Sequence, residues 1–187
     1  MRRSAIGVLL ATLAMYAWGM LYWGVNPAPY TAWQRTRDDA AAGRAILQHF
    51  PVSGTYYLPG LYNDAETRTR LHEHGPVAFV HVTARNGRPE FDPNVFVKGL
   101  ALDLGVVLLL AWLMRQAGPA LGGYGDRVRL AAVAGLLAAL LVDLGDVVWW
   151  DIPWQWKLHQ ALYSFSAILV PGLVLAHFME REAAGSA

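Results

Sequence analysis

Four long apolar segments run through the sequence and limit the folds that are open to it. They are Ala5–Val25, Phe96–Met114, Leu130–Trp150 and Gln160–Met179. Each has about the 20 residues that an α-helix needs to cross the hydrocarbon layer of a bilayer. Hydrophobic residues make up 55% of the chain and charged residues only 16%, which is typical of an integral membrane protein. We therefore predict a membrane all-α four-helix bundle.

The first apolar segment could instead be a cleaved signal peptide, with Arg2 and Arg3 as its positively charged start. The apolar run is longer than is usual for the core of a signal peptide. It also ends in Tyr22 and Trp23, residue types that favour the membrane–water interface rather than a cleavage site. We therefore predict that residues 1–25 form a retained transmembrane helix.

Residues 26–95 are hydrophilic and separate the first two apolar segments. Helical spacing of apolar residues, alternation of β-forming residues, and turn signals divide this region into elements. The predicted elements are a helix over Tyr30–Phe50, a strand over Gly54–Leu58, a short helix that Asn63 or Asp64 caps and Gly75 ends, and a strand over Val77–Ala84. Asn86 and Gly87 then form a typical hairpin turn. We therefore predict a small α+β insertion between helices 1 and 2, with residues 96–187 forming helices 2–4, short loops and a tail.

The basic residues near the apolar segments predict the orientation of the chain. On one side lie Arg2, Arg3, Arg115, Arg127, Arg129 and Arg181. Only Lys98 and Lys157 lie close to the membrane on the other side. Because positively charged loops stay in the cytoplasm, both termini are predicted to be cytoplasmic and the α+β insertion to be extracytoplasmic.

Three acidic residues, Asp103, Asp143 and Asp146, lie within the apolar segments. At about 1.5 Å per helical residue, Asp103 lies roughly 12 Å, Asp143 roughly 10 Å and Asp146 roughly 6 Å below the outer membrane surface. Asp143 and Asp146 are spaced i, i+3 and share one helix face. His159 opens the fourth segment at the outer surface, and Tyr163 lies one turn below it. An antiparallel bundle would place all five residues in one outer layer.

Two interpretations of this layer are open. In the first, the acids only join helices: Asp103 bonds a Tyr, Trp or Ser on a neighbouring helix, and Asp146 pairs with Lys98, Lys157 or an arginine of the insertion. Such contacts contribute about 0.6–2 kcal/mol each. In the second, the layer is a pocket for a ligand, proton or cation, because ionisable groups inside a membrane are costly and close carboxylates can share a proton. Asp and His also suit Mn, Fe or Zn, but no metal-ligand spacing such as HExxH is present, so no metal site is predicted.

The remaining patterns are typical of structural roles. Five tryptophans fit an interfacial aromatic belt: Trp23, Trp149, Trp150, Trp154 and Trp156. His159 and His177 do not fit a haem, because they lie on one predicted helix roughly 27 Å apart. The chain has no cysteine, no GxSxG elbow and no glycine-rich phosphate loop, so neither a catalytic residue nor a cofactor is predicted. A net charge of +1 gives no field that would recruit nucleic acid.

Four short motifs carry a resemblance to known proteins: Tyr16–Trp23 (YAWGMLYW), Ser53–Gly60 (SGTYYLPG), Gly75–Val80 (GPVAFV), and Trp149-Trp150 followed by Pro153. Together they make the chain resemble a family of bacterial four-span inner-membrane proteins of unknown function. The resemblance implies a multi-pass protein of the bacterial inner membrane with a periplasmic insertion, and it implies no activity. The outline also resembles claudin-like tetraspans, whose cysteine pair is missing here.

These observations predict a non-enzymatic accessory or binding protein of the inner membrane. Its expected partners are membrane lipids and a membrane or periplasmic protein that meets the insertion. The alternative is a protein that handles a small ligand, a lipid, a cation or a proton through Asp103, Asp143 and Asp146. A membrane enzyme at the same pocket is the third hypothesis, and no nucleophile or metal motif supports it.

Overall fold

A computed structural model describes residues 2–85 and 87–184 of the chain. These residues are mostly helical, and four helical segments are long and apolar enough to cross a membrane. They are named here span 1 (Ser4–Val25), span 2 (Pro93–Gln116), span 3 (Tyr124–Trp150) and span 4 (Trp154–Met179). The four segments are compatible with a multi-pass membrane protein, as their hydropathy predicts.

The described residues contain seven α-helices and two β-strands. The helices are α1 (Arg2–Gly19), α2 (Asp39–His49), α3 (Ala65–His74), α4 (Pro93–Gln116), α5 (Tyr124–Ala138), α6 (Gly145–Trp150) and α7 (Trp154–Ala184). The strands are β1 (Gly54–Leu58) and β2 (Ala78–Val82). Short 3-10 helices cover Ala28–Ala32 and Gly118–Ala120, and π-helical segments cover Met20–Val25 and Ala139–Leu144.

The chain divides into two compact units. One unit contains the four spans and extends up to Trp33 and again from Asp92 onward. Its core is made of small and flexible apolar side chains, among them Ala11, Met114 and Leu175. Within this unit α7 packs along both α1 and α5, while α4 lies mainly against α1.

Glycine lets spans 3 and 4 approach closely. A Cβ atom at Gly135 on α5 would lie 2.7 Å from the backbone oxygen of Phe165 on α7. A Cβ atom at Gly172 on α7 would collide with the side chain of Ala131 on α5. Small residues at helix contacts bring backbones together where apolar lipid gives little drive for association.

The second unit, Gln34–Phe91, contains the two strands. They pair in antiparallel register, with Tyr56 opposite Val80. Both predicted strands are confirmed, and β2 is shorter than its predicted range, Val77–Ala84. Along β2 the side chains of Phe79 and His81 are exposed, whereas Val82 is buried, which matches the expected alternation.

The short helix α3 also agrees with its prediction. Asp64 caps its N-terminus by accepting a hydrogen bond from the backbone N–H of Thr67 at 2.9 Å, and Gly75 follows its last residue. This hydrogen bond to the ionised carboxylate holds the pKa of Asp64 below its usual value. Of the predicted hairpin turn, Gly87 has a positive φ of 79°, while Asn86 lies outside the described residues.

The single helix predicted over Tyr30–Phe50 is wrong. The chain forms a 3-10 helix over Ala28–Ala32, leaves the helical conformation, and starts α2 at Asp39. The reason is local: Asp38 is extended, and its side chain accepts a hydrogen bond from the N–H of Ala41 at 2.9 Å. Such an N-cap begins a new helix rather than continuing an old one.

The turn between spans 3 and 4 is shorter than the interval between the apolar segments that end at Trp150 and begin at Gln160. Asp151 adopts the left-handed conformation that ends α6, and α7 already begins at Trp154. Pro153 precedes the first turn, where helices need no backbone N–H, and its carbonyl accepts a bond from the N–H of Lys157 at 3.3 Å. Lys157 therefore belongs to a helix, and this decides which way its side chain points.

Candidate functional site

Span 3 contains a π-helical segment, Ala139–Leu144, between α5 and α6. The backbone N–H of Gly145 donates to the carbonyls of Leu140, five residues earlier, and Val142, three residues earlier. Single π turns inside α-helices are rare and are frequent at functional sites. Asp143 lies within this segment, and Asp146 follows it directly.

Lys157 on α7 joins the two acids of span 3. Its Nζ atom lies 2.6 Å from Oδ2 of Asp146 and 3.8 Å from Oδ1 of Asp143. The first distance is that of a charge-assisted hydrogen bond, whereas the second is an ion-pair contact only. Asp143 is 4% exposed and Lys157 is 7% exposed, so both are buried, whereas the side chain of Asp146 is 32% exposed. These three residues are named here the acid–lysine triad.

The triad leaves one carboxylate oxygen without a partner. Oδ2 of Asp143 is buried and accepts no hydrogen bond from the residues that the structure describes. The same is true of Oε1 of Gln160, which follows Lys157 at i+3 on the same face of α7. Both atoms are acceptors, so a proton donor or a cation would satisfy them.

Asp103 belongs to a different group of side chains. Its half-buried carboxyl on α4 lies close enough to Tyr163 on α7 to act electrostatically on the tyrosine hydroxyl. The rings of Tyr163 and Trp23 also pack together, with ring centres 5.2 Å apart. Within the described chain, no hydrogen bond or ion pair joins Asp103 to either acid of the triad. That the five residues form one site stays a prediction.

His159 contributes its backbone to this second group. Its carbonyl accepts a hydrogen bond from the hydroxyl of Tyr22 at 2.8 Å. The ring of Tyr22 in turn packs on Tyr163, with the ring centres 5.3 Å apart. His159 is half-buried, and these contacts give it a role in holding span 1 against span 4.

The five predicted interfacial tryptophans also divide into two sets. Trp149, Trp150 and Trp154 are 80%, 50% and 59% exposed around the turn between spans 3 and 4. Trp23 and Trp156 instead pack together, with ring centres 5.7 Å apart. They belong to an aromatic cluster that joins span 1, the following 3-10 helix and span 4 through Tyr22, Trp23, Tyr30, Trp33, Trp156 and Tyr163.

Residues 2–85 and 87–184 hold no group of three or more His, Cys, Asp or Glu side chains placed to share a metal ion. The two buried acceptors without a partner are a carboxylate oxygen of Asp143 and the amide oxygen of Gln160. Carboxylate and carbonyl oxygens without imidazole or thiolate suit hard cations rather than transition metals. The arrangement can therefore hold a proton or an alkali cation.

Sequence reasoning named Lys157 only as one of several partners for Asp146, and it missed Gln160. An amide near the start of an apolar segment looks like an ordinary interfacial residue. The signal that could have found it is the i, i+3 spacing of Lys157 and Gln160, which mirrors that of Asp143 and Asp146 on the preceding helix. That spacing becomes informative only once α7 is known to begin at Trp154.

Comparison with family models, curated proteins and solved structures gives no match to this chain. The resemblance to bacterial four-span proteins therefore stays a prediction from the four motifs. The function has to be argued from the geometry of the chain itself.

Proposed function

We propose that this chain is a multi-pass protein of the bacterial inner membrane whose four spans form one helix bundle. The contacts of α7 with α1 and α5, and of α4 with α1, support the bundle. The excess of arginine beside the inner ends of the spans supports cytoplasmic termini. In that orientation the unit Gln34–Phe91 is periplasmic.

The function that we propose for the membrane unit is binding of a monovalent cation, either an alkali ion or a proton, at the acid–lysine triad. One observation carries this proposal: Asp143 is buried with one carboxylate oxygen unpartnered. Two ionised carboxylates facing one ammonium leave a net negative charge. In a bilayer such a charge is costly unless it is neutralised, and one bound monovalent cation neutralises it.

The chemistry of the site follows from the charges around Asp143. Lys157 faces Asp143 from α7, and Asp146 follows it by three residues on the same span. In the described chain, Lys157 is the charged group that forms an ion pair with both acids. Because Lys157 bonds Asp146 more closely, Asp143 is the carboxylate left for a cation, with the amide oxygen of Gln160 as a second ligand. Irregular helix at membrane depth is a recurring way of building such sites.

The test is thermal unfolding of the purified full chain in lipid nanodiscs. Sodium chloride replaces choline chloride at constant ionic strength and pH, and a pH series from 5 to 8 is run in choline alone. A bound cation stabilises the folded state by RT ln(1 + [L]/Kd), about 1.4 kcal/mol at ten times Kd. Asp143→Asn should abolish the response because it removes the unpartnered charge.

The matched control is Asp151→Asn, the same change at an exposed position outside the triad, and it should keep the full response. A sodium response identifies an alkali ion, and a response to pH alone that Asp143→Asn removes identifies a proton. If Asp143→Asn responds as strongly as the native chain, or if the native chain responds to neither, the proposal is wrong.

The other hypothesis, a non-enzymatic accessory protein, requires the acids to be sealed and fully paired, whereas a binding role requires a cavity that reaches them. The side chain of Asp146 is 32% exposed and one oxygen of Asp143 has no partner in the described residues, and both observations favour a binding role. One feature of the unit Gln34–Phe91 still supports the accessory hypothesis: a cavity of about 820 Å³ lined by Phe50, Tyr56, Tyr57 and exposed Tyr62. If the cation test fails, recognition of a protein partner there becomes the leading function.

A further inference from the structure

A cleft lies between span 1 and span 2, on a side of the membrane unit that the triad does not use. It has a volume of about 580 Å³. From α1 it is lined by Ser4, Ala5, Val8 and Leu9, and from α4 by Leu104, Leu108, Ala111, Trp112 and Arg115. Apart from Ser4 and Arg115, these side chains are apolar or aromatic.

The two polar residues lie at the same end of the cleft. Helices α1 and α4 run antiparallel, because at their other ends the hydroxyl of Tyr16 donates to the carbonyl of Phe96 at 3.4 Å. This places Ser4, near the start of α1, beside Arg115, near the end of α4. The cleft is therefore amphipathic along its length, with an apolar body and a positively charged end.

The depth of the cleft matches one leaflet of a bilayer. Leu104 and Arg115 are roughly 16 Å apart along α4 at about 1.5 Å per residue. The hydrocarbon core of a bilayer is about 30 Å thick, so each leaflet contributes about half of that. An acyl chain whose terminal methyl group lies beside Leu104 would run along Leu108. Its headgroup would then lie at the level of Arg115.

The charge at that end selects the headgroup. Arg115 is exposed and has no ion-pair partner in the described residues, and Arg2 and Arg3 directly precede Ser4 in the sequence. A guanidinium group matches the geometry of a phosphate and can bond it in a bidentate manner. Polybasic positions at the cytoplasmic face also attract anionic lipids.

We propose that this cleft is a binding site for an anionic glycerophospholipid of the inner leaflet, with its phosphate on Arg115 and one acyl chain along Val8, Leu108 and Trp112. The site is independent of the cation proposal, since none of its residues belongs to the acid–lysine triad. A zwitterionic lipid with the same chains offers the same phosphate, but the cation of its headgroup cancels that charge and is repelled by the arginines at this end.

The experiment is native mass spectrometry of the full chain released from detergent with added lipid. Palmitoyl-oleoyl phosphatidylglycerol is compared with palmitoyl-oleoyl phosphatidylcholine at equal concentrations. The native chain should retain the anionic lipid preferentially. Arg115→Gln should weaken binding of phosphatidylglycerol by roughly tenfold, the usual effect of losing a hydrogen bond to a charged group, and should remove the preference.

Two further variants separate this site from general attraction to the membrane. Arg129→Gln makes the same change at an exposed arginine outside the cleft, so the lipid preference should survive. Leu108→Trp fills the apolar body and should weaken binding of both lipids. The proposal is overturned if Arg115→Gln keeps the preference, if Arg129→Gln loses it equally, or if Leu108→Trp changes nothing.

Discussion

The ammonium group of Lys157 lies between two carboxylates, and this arrangement sets how the triad responds to substitution. Removing either acid alone leaves Lys157 with the other. Removing both leaves a buried ammonium without a partner, since Lys157 is only 7% exposed. The cost of a buried charge depends on whether any counter-charge remains, so the two acids cannot act independently.

We therefore expect Asp143→Asn and Asp146→Asn to be strongly non-additive in the free energy of unfolding. Asp143→Asn alone should be neutral or stabilising because it removes the surplus charge, and Asp146→Asn alone should cost little. The double variant should lose roughly 3–5 kcal/mol, the cost of an unpaired buried charge. Chemical unfolding in detergent measures all three. Adding Lys157→Gln to the double variant should restore stability, whereas additive effects would mean that Lys157 does not bridge the acids.

The contact between span 3 and span 4 depends on the backbones being close. Gly135 faces the backbone of Phe165, and the π-helical segment Ala139–Leu144 begins one turn later on the same span. The close approach fixes how far α7 lies from span 3, and thus where Lys157 meets Asp146. Packing of the helices and geometry of the triad are therefore coupled.

Gly135→Ala should destabilise the chain by roughly 1–3 kcal/mol, because an added methyl group would have to push α7 away from α5. Gly125→Ala is the matched control on the same helix, since no atom lies within 4 Å of its added Cβ. That control should be neutral or slightly stabilising, as expected for alanine in place of glycine in a helix. Thermal unfolding of both variants decides the matter, and equal effects would show that the close contact carries no stability.

The whole molecule has a simple topology if the arginine-rich side faces the cytoplasm. The unit Gln34–Phe91 then lies outside, and the loop that holds Gly123 lies inside. The chain has no native cysteine, so a single introduced thiol reports its own position without background.

We expect Asn63→Cys to react with an impermeant thiol reagent in intact cells with an opened outer membrane. Gly123→Cys should react only after the inner membrane is permeabilised. Both positions lie between helices and strands, and Asn63→Cys removes only the hydrogen bond from the side chain of Asn63 to the carbonyl of Gly60. Labelling of Gly123→Cys in intact cells would show that the chain has the opposite orientation. That result would also remove the basis for a lipid site in the inner leaflet.

Local patterns in the sequence determined the four spans, the strand Gly54–Leu58, the existence of a strand within Val77–Ala84, and the helix between Asp64 and Gly75. These features depend on hydropathy, alternation and caps, which act over a few neighbouring residues. The break between Ala32 and Asp39 was missed because helical periodicity continued across it while the cap at Asp38 started a new helix.

Only the tertiary structure decided the partners inside the membrane unit. The sequence placed Asp103, Asp143 and Asp146 in one layer by depth, since depth follows from helix rise alone. Which side chains meet depends also on the rotation of each helix and on the distance between helices. The π-helical segment and the close contact at Gly135 set both for span 3, so Asp143 and Asp146 face Lys157 while Asp103 lies by Tyr163.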